Sequence, residues 1–353
     1  MKDIFIMIKR TFILLLFISL YTSLFAGSFL HLNVREGLSS RQVYQICKDS
    51  TGFIWAYTHM GVDRYDGNEI RHYKLNEMID SKDHILSFTV MEIDKEGNLW
   101  IALRNGRIYR YDKLKDCFEL QVDLSQSISF PVLNGIEFEE NGGLWLSTST
   151  GVYYWNRTDN VLSPAGLIGE WTNCIIKSAE NTFFVGTNTE VYKMERAGTT
   201  CQLSKEKMDI PVEARIEALF LYGTKLYVGT FSNSAFVIDL ATKQVKSLDS
   251  FIPGIPVRVF AHDGDHSILI GADGAGVFRI DAANETLTEH YITDEDDERS
   301  LNGNTVSDIC VDEYGGIWVS TCTNGISYLD PNVPDVHWIR HERNLSLIHI
   351  SEP

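Results

Sequence analysis

Proline is scarce in this chain, eight in 353 residues, which argues against a disordered, proline-rich protein. Cysteine is sparse and scattered. Cys47, Cys117, Cys174, Cys201, Cys310 and Cys322 include no C-x-x-C pair and lack the density of a disulfide scaffold. There is no H-E-x-x-H, no G-x-S-x-G and no P-loop lysine, so the common signatures of zinc proteases, serine hydrolases and nucleotide hydrolases are missing. No run of Lys and Arg occurs, and the formal net charge is −17. So acidic a surface repels phosphate backbones and disfavours direct nucleic-acid binding. The ten histidines show no metal-ligand spacing, and neither a metal nor a cofactor is expected.

One long apolar run exists, at the start. Lys2, Lys9 and Arg10 precede "TFILLLFISL", and "YTSLFAG" supplies small residues before a cut after Ala26. That is the pattern of a secretory signal peptide over 1–26, too short for a comfortable bilayer span of ~20 residues. Leu24 at the −3 position leaves an uncleaved anchor as the alternative. Cleavage takes three positive charges and one negative, leaving −19. Export permits disulfides. Cys47 and Cys310 lie at one repeat position, eight residues before a Trp. They read as small buried hydrophobes, with a structural disulfide as the alternative.

The whole chain is 44% hydrophobic and 22% charged, with 7 Trp, 15 Tyr and 18 Phe, enough for a real core. The part after residue 26 also repeats itself. "DSTGFIW" (Asp49–Trp55), "DKEGNLW" (Asp94–Trp100), "EENGGLW" (Glu139–Trp145) and "DEYGGIW" (Asp312–Trp318) all read acid-x-x-Gly-x-x-Trp. Three weaker copies lie between, and aligning on the Trp gives Trp55, Trp100, Trp145, Phe184, Tyr227, Leu269 and Trp318. Steps of 39 to 49 residues mark a propeller or an array. Each unit reads as four short strands: "RQVYQICK", the acid-Gly turn, "IWAYT", a polar turn, "VDRYD", and a looser "EIRHYKL". The turn carboxylates Asp49, Asp94 and Asp312 are placed to accept turn amides, while Gly52, Gly97, Gly142 and Gly315 tolerate positive φ. No comparable segment has helix periodicity. The expected fold is all-β, a seven-bladed β-propeller of four-stranded antiparallel blades, with the Trp-position residues wedged between blades. "FLHLNV" (Phe29–Val34) is a fourth strand without a blade before it and is a candidate strap for the seventh blade. A further strand at Val336–His341 is then surplus. The propeller is placed at 29–341, and 342–353 fits no blade and reads as a truncated or artefactual tail.

"GLSSRQVYQICKDSTGFIWAYTHMGVDRYDG" (Gly37–Gly67) and "SLNGNTVSDICVDEYGGIWVSTCTNGISYLD" (Ser300–Asp330) resemble the two-component regulator propeller repeat: Gly-Leu-Ser, a strand, the acid-Gly-Trp turn and a Gly-x-x-x-Tyr-Asp end. The resemblance is strong in blades 1, 2, 3 and 7. Blades 4 to 6 lack the Trp and most of the turn, through drift or rewriting for a ligand. The resemblance implies the first propeller of the periplasmic sensor of a Bacteroidetes hybrid two-component histidine kinase, anchored in the inner membrane when intact. It also implies a second propeller, a downstream kinase module, a homodimer and an oligosaccharide ligand released from a glycan.

Other chemical signals are weak. "GADGAG" (Gly271–Gly276) has no helix behind it to hold a phosphate and reads as a tight turn. "TDEDDERS" (Thr293–Ser300) lacks the Gly of a calcium loop and reads as a solvated acidic loop. The acid-Gly-Trp turn is similar to the Asp-box of sialidase propellers, and its repetition argues for folding rather than catalysis. A ligand site is therefore expected on the face bearing the turns between second and third strands. Candidate contacts are Tyr57, His59, Arg104, Asn105, Trp171, Asn188, Asn233, Asp273 and Asn324, as planar polar groups and aromatics that suit a sugar. Two rivals stand beside that reading: a propeller glycosidase or polysaccharide lyase, and a periplasmic protein-binding scaffold.

Overall fold

The computed structural model describes residues 28–73, 90–103, 105–128, 132–140, 142–196, 201–211 and 213–331. It contains seven antiparallel sheets of four strands. Blade 1 spans 43–73, blade 2 90–123, blade 3 133–166, blade 4 172–207, blade 5 216–247 and blade 6 257–291. Blade 7 takes three strands from 306–329 and its outer strand from Phe29–Leu32 at the other end of the chain, with Phe29 opposite Leu329 and Leu32 opposite Ile326. The strap expected from "FLHLNV" therefore closes the ring. The signal peptide, the surplus strand and the tail lie outside the described residues. Among the described residues no helix is long and apolar enough to cross a membrane.

The first strand of each blade is innermost, and each innermost strand touches the next, the last meeting the first. The core divides into seven apolar clusters, one per blade–blade junction. This follows from the pleat: a blade's two faces are both apolar, so each must be covered by a neighbour. Trp55 lies in the junction of blades 1 and 2, Trp100 in that of 2 and 3, and Trp145 in that of 3 and 4. Phe184, Tyr227, Leu269 and Trp318 continue the series. Trp55 and Trp145 are fully buried.

The acid-Gly-Trp turn is a hydrogen-bonded unit. Asp49 Oδ1 accepts the Thr51 and Phe53 amides at 2.8 and 3.1 Å, and its Oδ2 accepts the Trp55 indole N–H at 2.9 Å. Trp100 donates likewise to Asp94 at 2.7 Å, and Trp318 to Asp312 at 3.1 Å. Gly52 has φ +92°, which an L side chain resists. In blade 3 the longer Glu139 receives the Trp145 indole N–H at 2.8 Å and the Tyr154 hydroxyl at 3.0 Å, and pairs with Arg196 at 2.9 Å. Blades 4 and 5 dispense with the unit. Their first strands run on to Thr172–Ala179 and Ile216–Tyr222 and turn back through two residues, so no box is needed to shape the bend.

Cys47, Cys117, Cys174, Cys201, Cys310 and Cys322 are free thiols, and only Cys117 is exposed. Burial pushes the Cys174 and Cys310 thiols up to about 12, the behaviour of inert small hydrophobes.

Candidate functional site

In six blades the innermost strand slips its register by one residue, between Val43 and Gln45 in blade 1 and at the equivalent place in blades 3 to 7. Such a bulge re-aims the extra residue's side chain. The residues carried there are Tyr44, Asn134, Asn173, Glu217, Arg258 and Ser307, all with polar side-chain atoms. They stand at the end of the strand that lies beside the turn between second and third strands, because Val43 is opposite Thr58 and Val257 opposite Ala272.

These side chains stitch the channel mouth together across blades. Asn134 donates to the Thr172 carbonyl at 2.7 Å, Ser307 to the Val43 carbonyl at 2.6 Å, and Arg258 to Glu217 at 2.6 Å. Arg258 also holds Asp273 at 2.8 Å, and Arg215 lies 2.7 Å from the other Glu217 oxygen. Both guanidinium groups stand 5.6 Å from the ring centre of Phe231, which is 45% exposed. Blades 5 and 6 thus present an exposed aromatic face among fixed charged hydrogen-bonding groups.

Most of the expected contacts reach this face. His59 is exposed and shares a hydrogen bond with the Tyr44 hydroxyl at 3.3 Å. Asn188 is exposed and accepts from Asn173 at 3.2 Å. Asp273 pairs with Arg258, and Trp171 is 39% exposed. Asn105, Asn233 and Asn324 lie in their turns, where Asn105 accepts the Arg107 amide at 3.1 Å and the amides of Asn233 and Asn324 donate to Thr230 and Thr321. Tyr57 departs from expectation. It is fully buried in the core between blades 1 and 2, against Tyr44, because its place on the second strand faces the neighbouring blade rather than the turn. Arg104 lies outside the described residues.

The sequence reading missed Tyr44, Asn173, Arg215, Glu217, Phe231 and Arg258. A signal was available. Aligned on the wedge residue, each bulge residue sits eleven positions earlier, ten in blade 5, and has a polar side-chain atom.

Deeper in the channel stand three carboxylates from three blades. Asp308 accepts the Ile46 amide of blade 1 at 3.0 Å, and Glu137 accepts the Lys177 amide of blade 4 at 2.9 Å. Gln45 treats the Met91 amide of blade 2 in the same way at 2.8 Å. Each satisfies an N–H that the free edge of an innermost strand leaves unpaired. Glu92 is reached by solvent yet surrounded by protein. Its desolvation, with Asp308 and Glu137 adding repulsion, pushes its carboxyl up to about 8. Desolvation pushes Asp308 up to about 7, against the two amides bonded to it. The folded state therefore holds protons that the unfolded chain has already released above about pH 4 to 5. Stability from these groups is greatest in acid and is lost as pH rises toward 8. Denaturant midpoints are expected to fall between pH 5 and pH 8, and Glu92→Gln to flatten that fall. An unchanged slope in the variant would refute the assignment.

Residues 300–323 match the two-component regulator propeller family. They open blade 7 with the same strand and acid-Gly-Trp unit seen in blades 1 and 2. The match covers the opening of one blade, and there the chain is similar to the two-component regulator propellers. Solved structures agree on the fold. The extracellular domain of the hybrid two-component system BT4673 from B. thetaiotaomicron is 22% identical, with a TM-score of 0.70 over 86% of this chain and 40% of that one. That of BT3049 from the same organism is 18% identical, with a TM-score of 0.70 over 87% of this chain and 42% of that one. The chain therefore spans about two-fifths of the length of those domains. A streptogramin B lyase is 18% identical, with a TM-score of 0.66 over 85% of this chain and 96% of its own. At these identities the likeness is one of fold. No curated protein matches the sequence significantly.

Proposed function

We propose that this propeller is the ligand-sensing module of a hybrid two-component regulator, exported to the periplasm, and that its ligand is an oligosaccharide derived from a glycan. The observation that carries the reading is the channel mouth of blades 4 to 6. There the exposed Phe231 and Trp171 stand among fixed, planar polar groups: Asn173, Asn188, Arg215, Glu217, Arg258 and Asp273. A sugar ring needs both, an apolar platform for its C–H face and paired donors and acceptors for its hydroxyls. The blades that depart most from the repeat are the ones that supply them, which favours rewriting for a ligand over drift.

Binding without chemistry then suffices. A ligand that prefers one arrangement of the sensor biases that arrangement by its differential affinity, and a histidine kinase outside this chain responds across the membrane. The kinase, a second propeller, a homodimer and inner-membrane anchorage belong to the same reading. Calorimetry with a broad oligosaccharide panel tests it. At least one sugar is expected to bind, about tenfold more weakly to Phe231→Ala or Trp171→Ala, a loss of about 1.4 kcal/mol. Silence across the panel would end the sugar reading.

The channel carboxylates favour a second reading, a glycosidase or lyase. A raised carboxyl suits a general acid, and among the described residues Glu92 has no hydrogen-bond partner. Asp308 and Glu137 are already engaged by backbone amides, so the three groups are not equally free to react. Product release from glycans, abolished by Glu92→Gln, would establish the enzyme over the sensor.

A further inference from the structure

A second polar pocket, of about 230 Å³, opens where the two ends of the ring meet. It is lined by His31, Asn33, Arg35 and Arg41 from the strap and the loop after it, and by Asn302 and Asn324 from the blade 7 side. Its chemistry differs from that of the rest of this acidic surface. No carboxylate lines it, and among the described residues the Arg35 and Arg41 guanidinium groups form no ion pair. Glu36, next to Arg35 in the chain, accepts the Asn33 amide at 3.0 Å. Two arginines without an ion pair among the described residues, beside one pocket of a protein of net charge −17, attract an anion there.

The amides add a second requirement. Asn302 and Asn324 bond each other's backbone, Asn302 donating to the Asn324 carbonyl at 2.9 Å and the Asn324 side chain donating to the Asn302 carbonyl. Asn302 Oδ1 is left buried and without a partner. An unpaired buried acceptor is costly and calls for a hydroxyl donor. An anionic group and a nearby hydroxyl on one small molecule describe an acidic sugar. The volume lies below the roughly 300 Å³ at which sites for drug-sized ligands begin, so one sugar residue fits rather than a chain.

We propose that the seam pocket binds a single anionic sugar residue, its carboxylate or sulfate held by Arg35 and Arg41 and a hydroxyl donating to Asn302. This rests on the sugar-sensing reading and extends it to a separate place on the ring. Because the pocket draws on both the strap and blade 7, the ligand also clamps the sheet in which the chain ends meet, and bound sugar raises the melting temperature by linkage.

The test uses the full chain, with calorimetry and thermal melts against methyl β-glucuronide, glucose 6-sulfate, methyl β-glucoside and inorganic sulfate. The glucuronide or the sulfated sugar is expected to bind and to raise the Tm, whichever binds identifying the anion. Added salt weakens it, and Arg35→Gln or Arg41→Gln costs at least about tenfold. Both arginines are exposed, so the variants keep the wild-type circular dichroism. The proposal is overturned if both sugar anions fail to bind, if methyl β-glucoside or inorganic sulfate binds equally well, or if the variants bind like wild type. Neutral oligosaccharides binding at Phe231 while these probes fail would remove the seam site alone. Failure of every sugar at both places would remove the sensing reading as well.

Discussion

Trp55→Ala is expected to lower the unfolding free energy by about 3–5 kcal/mol, the usual cost of truncating a fully buried large aromatic. Trp55 has no solvent exposure, and its ring sits 4.7 Å from Tyr111 and 6.0 Å from Phe118, both on blade 2, as well as 5.4 Å from Tyr73 of its own blade. Removing it opens a cavity between two sheets that rigid neighbours cannot collapse to fill. It also strips the indole N–H from Asp49 Oδ2. Trp55→Phe separates the two losses. It keeps most of the packing and removes the charge-assisted bond, for a cost of about 1.5–3 kcal/mol. Trp55→Tyr or Trp55→Phe behaving like Trp55→Ala would mean that the turn bond, not the wedge, dominates. Denaturant unfolding, followed by tryptophan fluorescence and circular dichroism together, measures all three. An Ala variant within 1 kcal/mol of wild type would refute the wedge role.

The wedge was legible because it repeats. Seven bulky residues at steps of 39 to 49, four of them behind an acid-Gly turn, leave a ring of sheets as the economical packing. The strap was legible for a related reason: "FLHLNV" has strand pattern and no blade to its left. The bond from Trp to the acid six residues before it was not read, because alternation reports which face a side chain takes and not what its polar atom meets. The mouth was half legible. Turn residues such as Asn188 and Asp273 announce themselves by type, but a bulge is a backbone event that alternation conceals. Glu217 and Arg258 therefore passed as ordinary strand positions. Tyr57 failed through the same blindness. One residue from a turn along a strand is enough to change faces, and Tyr57 went to the core.

Gly325→Ala is expected to loosen the ring at its one joint between distant parts of the chain. Gly325 has φ +90°, and an added Cβ would lie 2.4 Å from the Leu32 carbonyl oxygen and 3.2 Å from the Asn33 Cα, both on the strap side. Its amide donates to the Arg41 carbonyl at 2.8 Å. The left-handed backbone alone costs an L residue about 1–3 kcal/mol. The contact with backbone has no flexible side chain to absorb it, so the strap must shift, and with it the pairing of Leu32 and Ile326. The same substitution at Gly67, where φ is +96° and nothing lies within 4 Å of the added carbon, carries the backbone strain without the clash. The difference between the two variants isolates the strap. Gly325→Ala is expected to be the less stable by about 1–3 kcal/mol, and to expose the strap to limited proteolysis at concentrations of protease that leave Gly67→Ala intact. Strap cleavage splits the sheet of blade 7 and bares the face of Phe29 and Leu329, so a nicked chain should lose its sharp melting transition. Equal protection of the two variants would show that the ring does not depend on the strap for closure.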